Sequence, residues 1–142
     1  METSELLIDT SIIIEHLRKS DKRRSILYGI PHHIEIFVSS VTVFELQAGA
    51  TDTTKQQDLK SVLYGIGILP FDESVAGEAG KLYRTLKATN NQLEIRDLFI
   101  AATALTNKLP ILTLNHKHFE LVKGLQLTTY APLRNKDKTE QD

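Results

Sequence analysis

Three of the 18 acidic side chains stand in apolar company, and they are the residues here whose type and setting point to chemistry. Asp9 lies between Leu6-Leu7-Ile8 and Ile12-Ile13-Ile14. Glu45 lies inside Val41-Thr42-Val43-Phe44-Glu45-Leu46. Asp97 opens a stretch whose positions one and two helical turns on are Ile100, Ala101, Ala104 and Leu105. A lone carboxylate buried among such residues loses its hydration and is driven toward its neutral form. Carboxylates that converge also repel one another, and a divalent cation relieves both costs. Oxygen-only ligation favours Mg2+ or Mn2+, held by a few carboxylates, waters and substrate phosphate. Such a cation activates water, polarises a phosphoryl oxygen and stabilises a leaving oxygen, so the chemistry expected is hydrolysis of a phosphodiester in RNA or DNA. Each acid also has a local alternative. Asp9 or Ser11 fits a helix N-cap, Glu45 fits a capping box with Thr42, and Asp97 fits the acid-favouring first turn of a helix.

The elements that must position these residues are short. Leu6-Leu7-Ile8 and Ile36-Phe37-Val38 read as strands buried on both faces, each followed at once by a helix, over residues 12–19 and 42–48. Residues 20–29 read as a second helix ending near Pro31, and residues 51–57 as a polar loop. Leu59, Val62, Leu63 and Ile66 recur at helical spacing, and Ile68-Leu69-Pro70 is a further strand. Asp72 caps a long helix to about Thr89, which Asn90-Asn91 ends in a left-handed conformation. An Ala- and Leu-rich helix over residues 98–105 stops before Pro110. Strands are expected over residues 111–114 and 125–129. Alternating strands and helices define an α/β domain with a parallel sheet. In such a sheet the carboxyl ends of the strands share one edge, where ligands bind. Asp9 and Glu45 follow strands directly, and Asp97 joins them there if its helix begins at that edge and returns to the opposite one before Ile111. Thr113-Leu114 returns Asn115 there.

The remaining composition narrows the field. The 142 residues are 41% hydrophobic and 25% charged, enough for one cored domain, expected over residues 1–133, with an apolar-free tail over residues 134–142 expected to be disordered. The chain lacks cysteine, which excludes disulfide, thiolate-zinc, iron–sulfur and cysteine-nucleophile chemistry. Seventeen basic residues against 18 acids leave a net charge of -1, which neither marks nor excludes a nucleic-acid partner. No apolar run approaches the roughly 20 residues of a membrane span. Met1-Glu2-Thr3-Ser4-Glu5 lacks a basic signal-peptide start, so a cytoplasmic protein is expected.

Four segments together resemble the PIN-domain family, particularly its VapC-type toxins. They are Leu6-Leu7-Ile8-Asp9-Thr10-Ser11, Val38 to Leu46 with Gly49, Arg96-Asp97-Leu98-Phe99-Ile100-Ala101-Ala102, and Leu112-Thr113-Leu114-Asn115-His116-Lys117-His118-Phe119 followed by Gly124-Leu125. The resemblance implies a three-layer α/β/α sandwich with a mainly parallel sheet. It also implies a Mg2+- or Mn2+-dependent endoribonuclease leaving 5′-phosphate and 3′-hydroxyl ends, neutralised by a cognate antitoxin, as a homodimer or toxin–antitoxin hetero-oligomer. Asp9, Glu45 and Asp97 would hold the metal, Asn115 would complete the site, and Thr10 or Ser11 would orient water beside Asp9. The family often carries an acid where Asn115 or His118 stands. Its absence keeps open a catalytically weak or inactive nucleic-acid- or protein-binding module, and puts a two-metal mechanism in doubt. A small-molecule phosphoester hydrolase is a third reading.

Among other residues, Arg18, Lys19, Lys22, Arg23 and Arg24 form the densest basic cluster, a candidate contact for the RNA backbone, Arg18, Lys22 and Arg23 foremost, or simply a solvated helix face. His32-His33 and His116-x-His118 lack a third ligand at zinc spacing and are expected on the surface, with His116 nearest the cleft. Gly65-Ile66-Gly67 lacks the context of a dinucleotide fingerprint. The apolar positions of residues 59–66 suit either core packing or a dimer interface.

Overall fold

Residue alternation along β1 (Glu5–Ile8) sets up the layers: in the computed structural model, which describes residues 4–128, Leu6 and Ile8 enter one apolar cluster while Leu7 enters another. β2 (Glu35–Ser39) repeats the division, with Val38 in the first cluster and Phe37 against the second. β4 (Ile111–Leu112) does so in two residues. The first cluster is completed by Ile12 and Ile13 of α1 (Thr10–Arg18), Leu46 of α2 (Ser40–Gly49) and Leu59 of α3 (Thr53–Leu63). The second takes Leu82 and Leu86 of α4 (Glu73–Ala88), Leu98, Ile100, Ala101 and Ala104 of α5 (Ile95–Asn107), and Phe119 of α6 (His116–Phe119). A sheet with helices on both faces is a three-layer α/β/α sandwich, as expected.

With β3 (Gly67–Leu69) and β5 (Leu127–Thr128) the sheet has five parallel strands in the order β3-β2-β1-β4-β5. The chain steps outward from β1 to β3, then crosses to the far side of β1 to lay down β4 and β5. The strand order therefore reverses between β1 and β4, which makes their carboxyl ends the switch point of the sheet.

Two expectations change. Residues 20–29 form no second helix beyond a 3-10 turn at Lys22–Arg24. Asp21 accepts from the Arg23 amide at 3.1 Å, and the Ser25 hydroxyl accepts from the Tyr28 amide at 3.1 Å and bonds His16 Nδ1 at 2.6 Å. Such local bonds offer the backbone an alternative to the helix. Residues 53–57, read as loop, instead open α3, because Asp52 Oδ1 accepts from the Lys55 amide at 2.8 Å and caps it. The segment reads as polar because Leu59 is the only buried residue of that helix. Helix α5 starts at Ile95 and α2 at Ser40, both earlier than expected, and β4 ends at Leu112. Residue 129 and the tail over residues 134–142 lie outside the described residues.

Candidate active site

Register pairs Leu7 with Ile111 and Ile8 with Leu112, so the next residues of the two strands, Asp9 and Thr113, emerge side by side at the switch point. Asp9 is only 4% exposed, and both of its carboxylate oxygens are hydrogen-bonded. Oδ1 accepts from the Thr10 amide at 2.8 Å, capping α1. Oδ2 accepts from the Ser11 hydroxyl at 3.0 Å and the Thr113 hydroxyl at 2.8 Å. Ser11 Oγ accepts in turn from the Leu114 amide at 3.2 Å, and Thr113 Oγ1 from the Asn115 amide at 2.9 Å. The N-cap reading of Asp9 holds, but it accounts for one oxygen alone.

Asp97 lies in the first turn of α5, 6% exposed, with His118 Nδ1 3.2 Å from Oδ2. Burial pushes its carboxyl above the ordinary aspartate value. The nearby imidazole of His118 opposes this, the charge of Asp9 adds to it, Arg96 opposes and Glu94 adds. Asp9 and Asp97 are thus buried within electrostatic reach of one another.

Glu45 does not make the capping box. Helix α2 begins earlier, at a cap made by Ser39, whose hydroxyl accepts from the Thr42 amide at 3.0 Å. The Glu45 side chain turns instead toward α1 and α5. Oε1 accepts from the Thr10 hydroxyl at 2.9 Å and Oε2 from Arg96 Nη1 at 3.0 Å. Thr10 also shares a hydroxyl contact of 2.9 Å with the fully buried Thr42. Thr10 thereby ties Glu45 to the segment carrying Asp9. Among the described residues, no three His, Asp or Glu side chains already form a metal-holding group. Asp9 and Asp97 are both buried, with the charge of Asp9 felt at Asp97, and Glu45 is joined to Arg96.

This arrangement fits a hard divalent cation. The donors are carboxylate oxygens, two of them are buried, and the charge of one raises the proton affinity of the other. Mg2+ is commonly held by one or two carboxylates, with water and substrate phosphate filling the remaining positions.

Asn115 is exposed at the head of α6, its side chain capping nothing. The basic cluster is not brought to the carboxylates. Helix α1 starts at the carboxyl edge and runs about 14 Å toward the amino edge before Arg18. Lys22 Nζ there donates to the carbonyls of His16, Leu17 and Lys19 at 2.6–3.0 Å, and Arg23 pairs with Asp21. A cavity of about 490 Å³ also opens at that amino edge, lined by Tyr28, His32, His33 and Tyr64 among others, and no residue of the carboxylate site lines it.

The residues that sequence reasoning passed over are Thr113, Thr42, Arg96 and His118. His118, rather than His116, reaches an acid, while His116 Nε2 is buried without a partner. The available signal was the spacing of His118, two residues after His116 and three after the expected site residue Asn115.

The fold and site together define a doubly wound α/β protein with a buried pair of acids at its switch point. The family model for the PIN domain matches residues 6–125, and the chain belongs to that family. Ribonuclease VapC1 of Methanocaldococcus jannaschii is 32% identical over 129 residues, covering 91% of this chain and 89% of the relative. VapBC2 from Rickettsia felis, solved bound to a promoter DNA fragment, superposes with a TM-score of 0.77 at 22% identity, over 88% of this chain and 98% of the other. A toxin–antitoxin complex from Klebsiella pneumoniae gives a TM-score of 0.68 at 25% identity, over 84% and 94%.

Proposed function

We propose that this chain is a metal-dependent endoribonuclease, the toxin of a type II toxin–antitoxin pair. The observation that carries the reading is the pair of buried acids, Asp9 and Asp97, at the carboxyl edge of β1 beside β4 in a PIN domain. The ribonuclease relative spans nearly the whole chain and supports RNA as the substrate. The related toxin–antitoxin complex supports a cognate antitoxin as partner and assembly into an oligomer. No helix among the described residues is long and apolar enough to cross a membrane, and action in the cytoplasm belongs to the same proposal.

Asp9 and Asp97 would hold Mg2+ or Mn2+, with Glu45 as a third oxygen donor and Asn115 at the rim. Bound there, the cation supplies Lewis-acid activation of the phosphodiester and of the attacking water. The chain supplies the preorganisation. The hydroxyls of Ser11 and Thr113 hold Asp9 Oδ2 at a fixed angle, so little rearrangement is needed when substrate arrives. His118 orients Asp97 through Oδ2, and Thr10 orients Glu45 through Oε1. In-line attack of water on phosphorus would leave a 5′-phosphate and a 3′-hydroxyl.

The test is cleavage of RNA in Mn2+ by the wild type, Asp9→Asn and Asp97→Asn. Loss of cleavage by at least about a hundredfold in both folded variants is expected, in keeping with removal of groups acting on developing charge. Cleavage at the wild-type rate by either variant contradicts the assignment. A binding module without turnover predicts uptake of RNA and no cleavage by any form. A small-molecule hydrolase predicts turnover of free phosphoesters and indifference to RNA.

A further inference from the structure

Glu45 is the acid of the site that is paired with an arginine. Arg96 Nη1 donates to Glu45 Oε2 at 3.0 Å, while Nε of the same guanidinium lies 3.1 Å from Glu94 Oε2 as an ion pair. The Arg96 side chain is 53% exposed and that of Glu45 only 17%. The pairing is therefore a solvent-accessible group closing over a sheltered one. From this geometry we infer that Arg96 is a latch on the metal centre, competing with the divalent cation for the Glu45 carboxylate and weakening cation binding until it is displaced.

The inference rests on the metal-dependent reading above and adds a residue that tunes it. A carboxylate oxygen that accepts from a guanidinium at 3.0 Å meets a strong repulsion when a doubly charged ion approaches the same oxygen. Release of Arg96 does not strand it, because Glu94 already holds the other side of the fork. Ion pairs this exposed are weak, so the latch opens readily. Glu45 is not stranded either, since the Thr10 hydroxyl remains on Oε1. Arg96 is on this account a positioning residue, acting through Glu45.

Calorimetric titration of the full chain with MnCl2 tests the latch, using the wild type, Arg96→Gln, Glu45→Gln and the double variant. Arg96→Gln is expected to bind Mn2+ at least about threefold more tightly than wild type. In the Glu45→Gln background the same substitution is expected to give a clearly smaller gain, since only the longer-range charge of Arg96 on Asp97 is then removed. Equal gains in both backgrounds make Arg96 a bystander charge and overturn the inference, as does no gain in either. No Mn2+ uptake by any of the four proteins overturns the metal centre itself, a result distinct from failure of the latch. Thermal melts of the four confirm that each is folded, as the exposure of Arg96 leads one to expect.

Discussion

Asp9 performs two tasks with two oxygens, and the second depends on a residue 104 positions away. Its Oδ1 caps α1, while its Oδ2 is fixed by Thr113 from the end of β4. Thr113→Val removes that donor and also the acceptor for the Asn115 amide, leaving the buried Asp9 carboxylate one donor short and the Asn115 amide without its partner. The variant is expected to lose about 1–3 kcal/mol of stability by urea unfolding and to cleave RNA more slowly, with Thr113→Ser restoring both. Asp97 gives the opposite stability effect. Burial raises its carboxyl above its unfolded value, so its folded form favours the proton and the associated stability is lost as pH rises through the folded value. In chelator, Asp97→Asn is expected to melt higher than wild type at pH 7, with the gap narrowing as pH falls through the raised folded value and closed below the ordinary aspartate value of 3.8. A gap that does not change with pH contradicts that origin. Asp9 and Asp97 were legible in the sequence because an acid in an apolar run is anomalous against its own neighbours. Thr113 and His118 were not, because a threonine at a strand end and a histidine in a polar stretch are ordinary until the topology joins them to acids.

Helix ends show which local signals survive folding. Asp72 caps α4 through the Val75 amide at 3.0 Å, and Asn90 adopts φ 58°, both as the residue types indicate. The end of α5 breaks the pattern, with Lys108 at φ 55° where glycine is favoured, and the Leu109 amide reaching back to the Ala104 carbonyl at 3.0 Å. Lys108→Gly is expected to gain a few tenths to about 1 kcal/mol, read as a higher urea midpoint at an unchanged slope. A lower midpoint contradicts the strain assigned to Lys108. Strands β1, β2 and β4 and their alternation with helices were legible because their apolar residues enter a core on both faces of the sheet. The start of α3 was not, since a helix that buries only Leu59 writes no stripe into residues 53–57. The turn after α1 was missed for a different reason: the bonds of Asp21 and Ser25 depend on side-chain geometry that residue type leaves open. Glu45 carries the same lesson. Its capping-box spacing was correct, but the cap moved to Ser39 and released the carboxylate to meet Thr10 and Arg96.

At the scale of the molecule, one topological fact organises the function. The order β3-β2-β1-β4-β5 places its reversal at β1 and β4, and both bring polar residues to that point, Asp9 from one and Thr113 from the other. The helices then set what else arrives: α5 delivers Asp97 and Arg96, α6 delivers His118, and α2 delivers Glu45. The same geometry sends the basic turn to the opposite edge, which is why charge density along the chain pointed away from the carboxylates. The central claim is that Asp9 and Asp97 share one divalent cation. Anomalous diffraction from crystals of the protein soaked in MnCl2 tests it most directly. The account expects a peak within bonding distance of one carboxylate oxygen from each residue. A fully occupied Mn2+ elsewhere, with both carboxylates unligated, contradicts it.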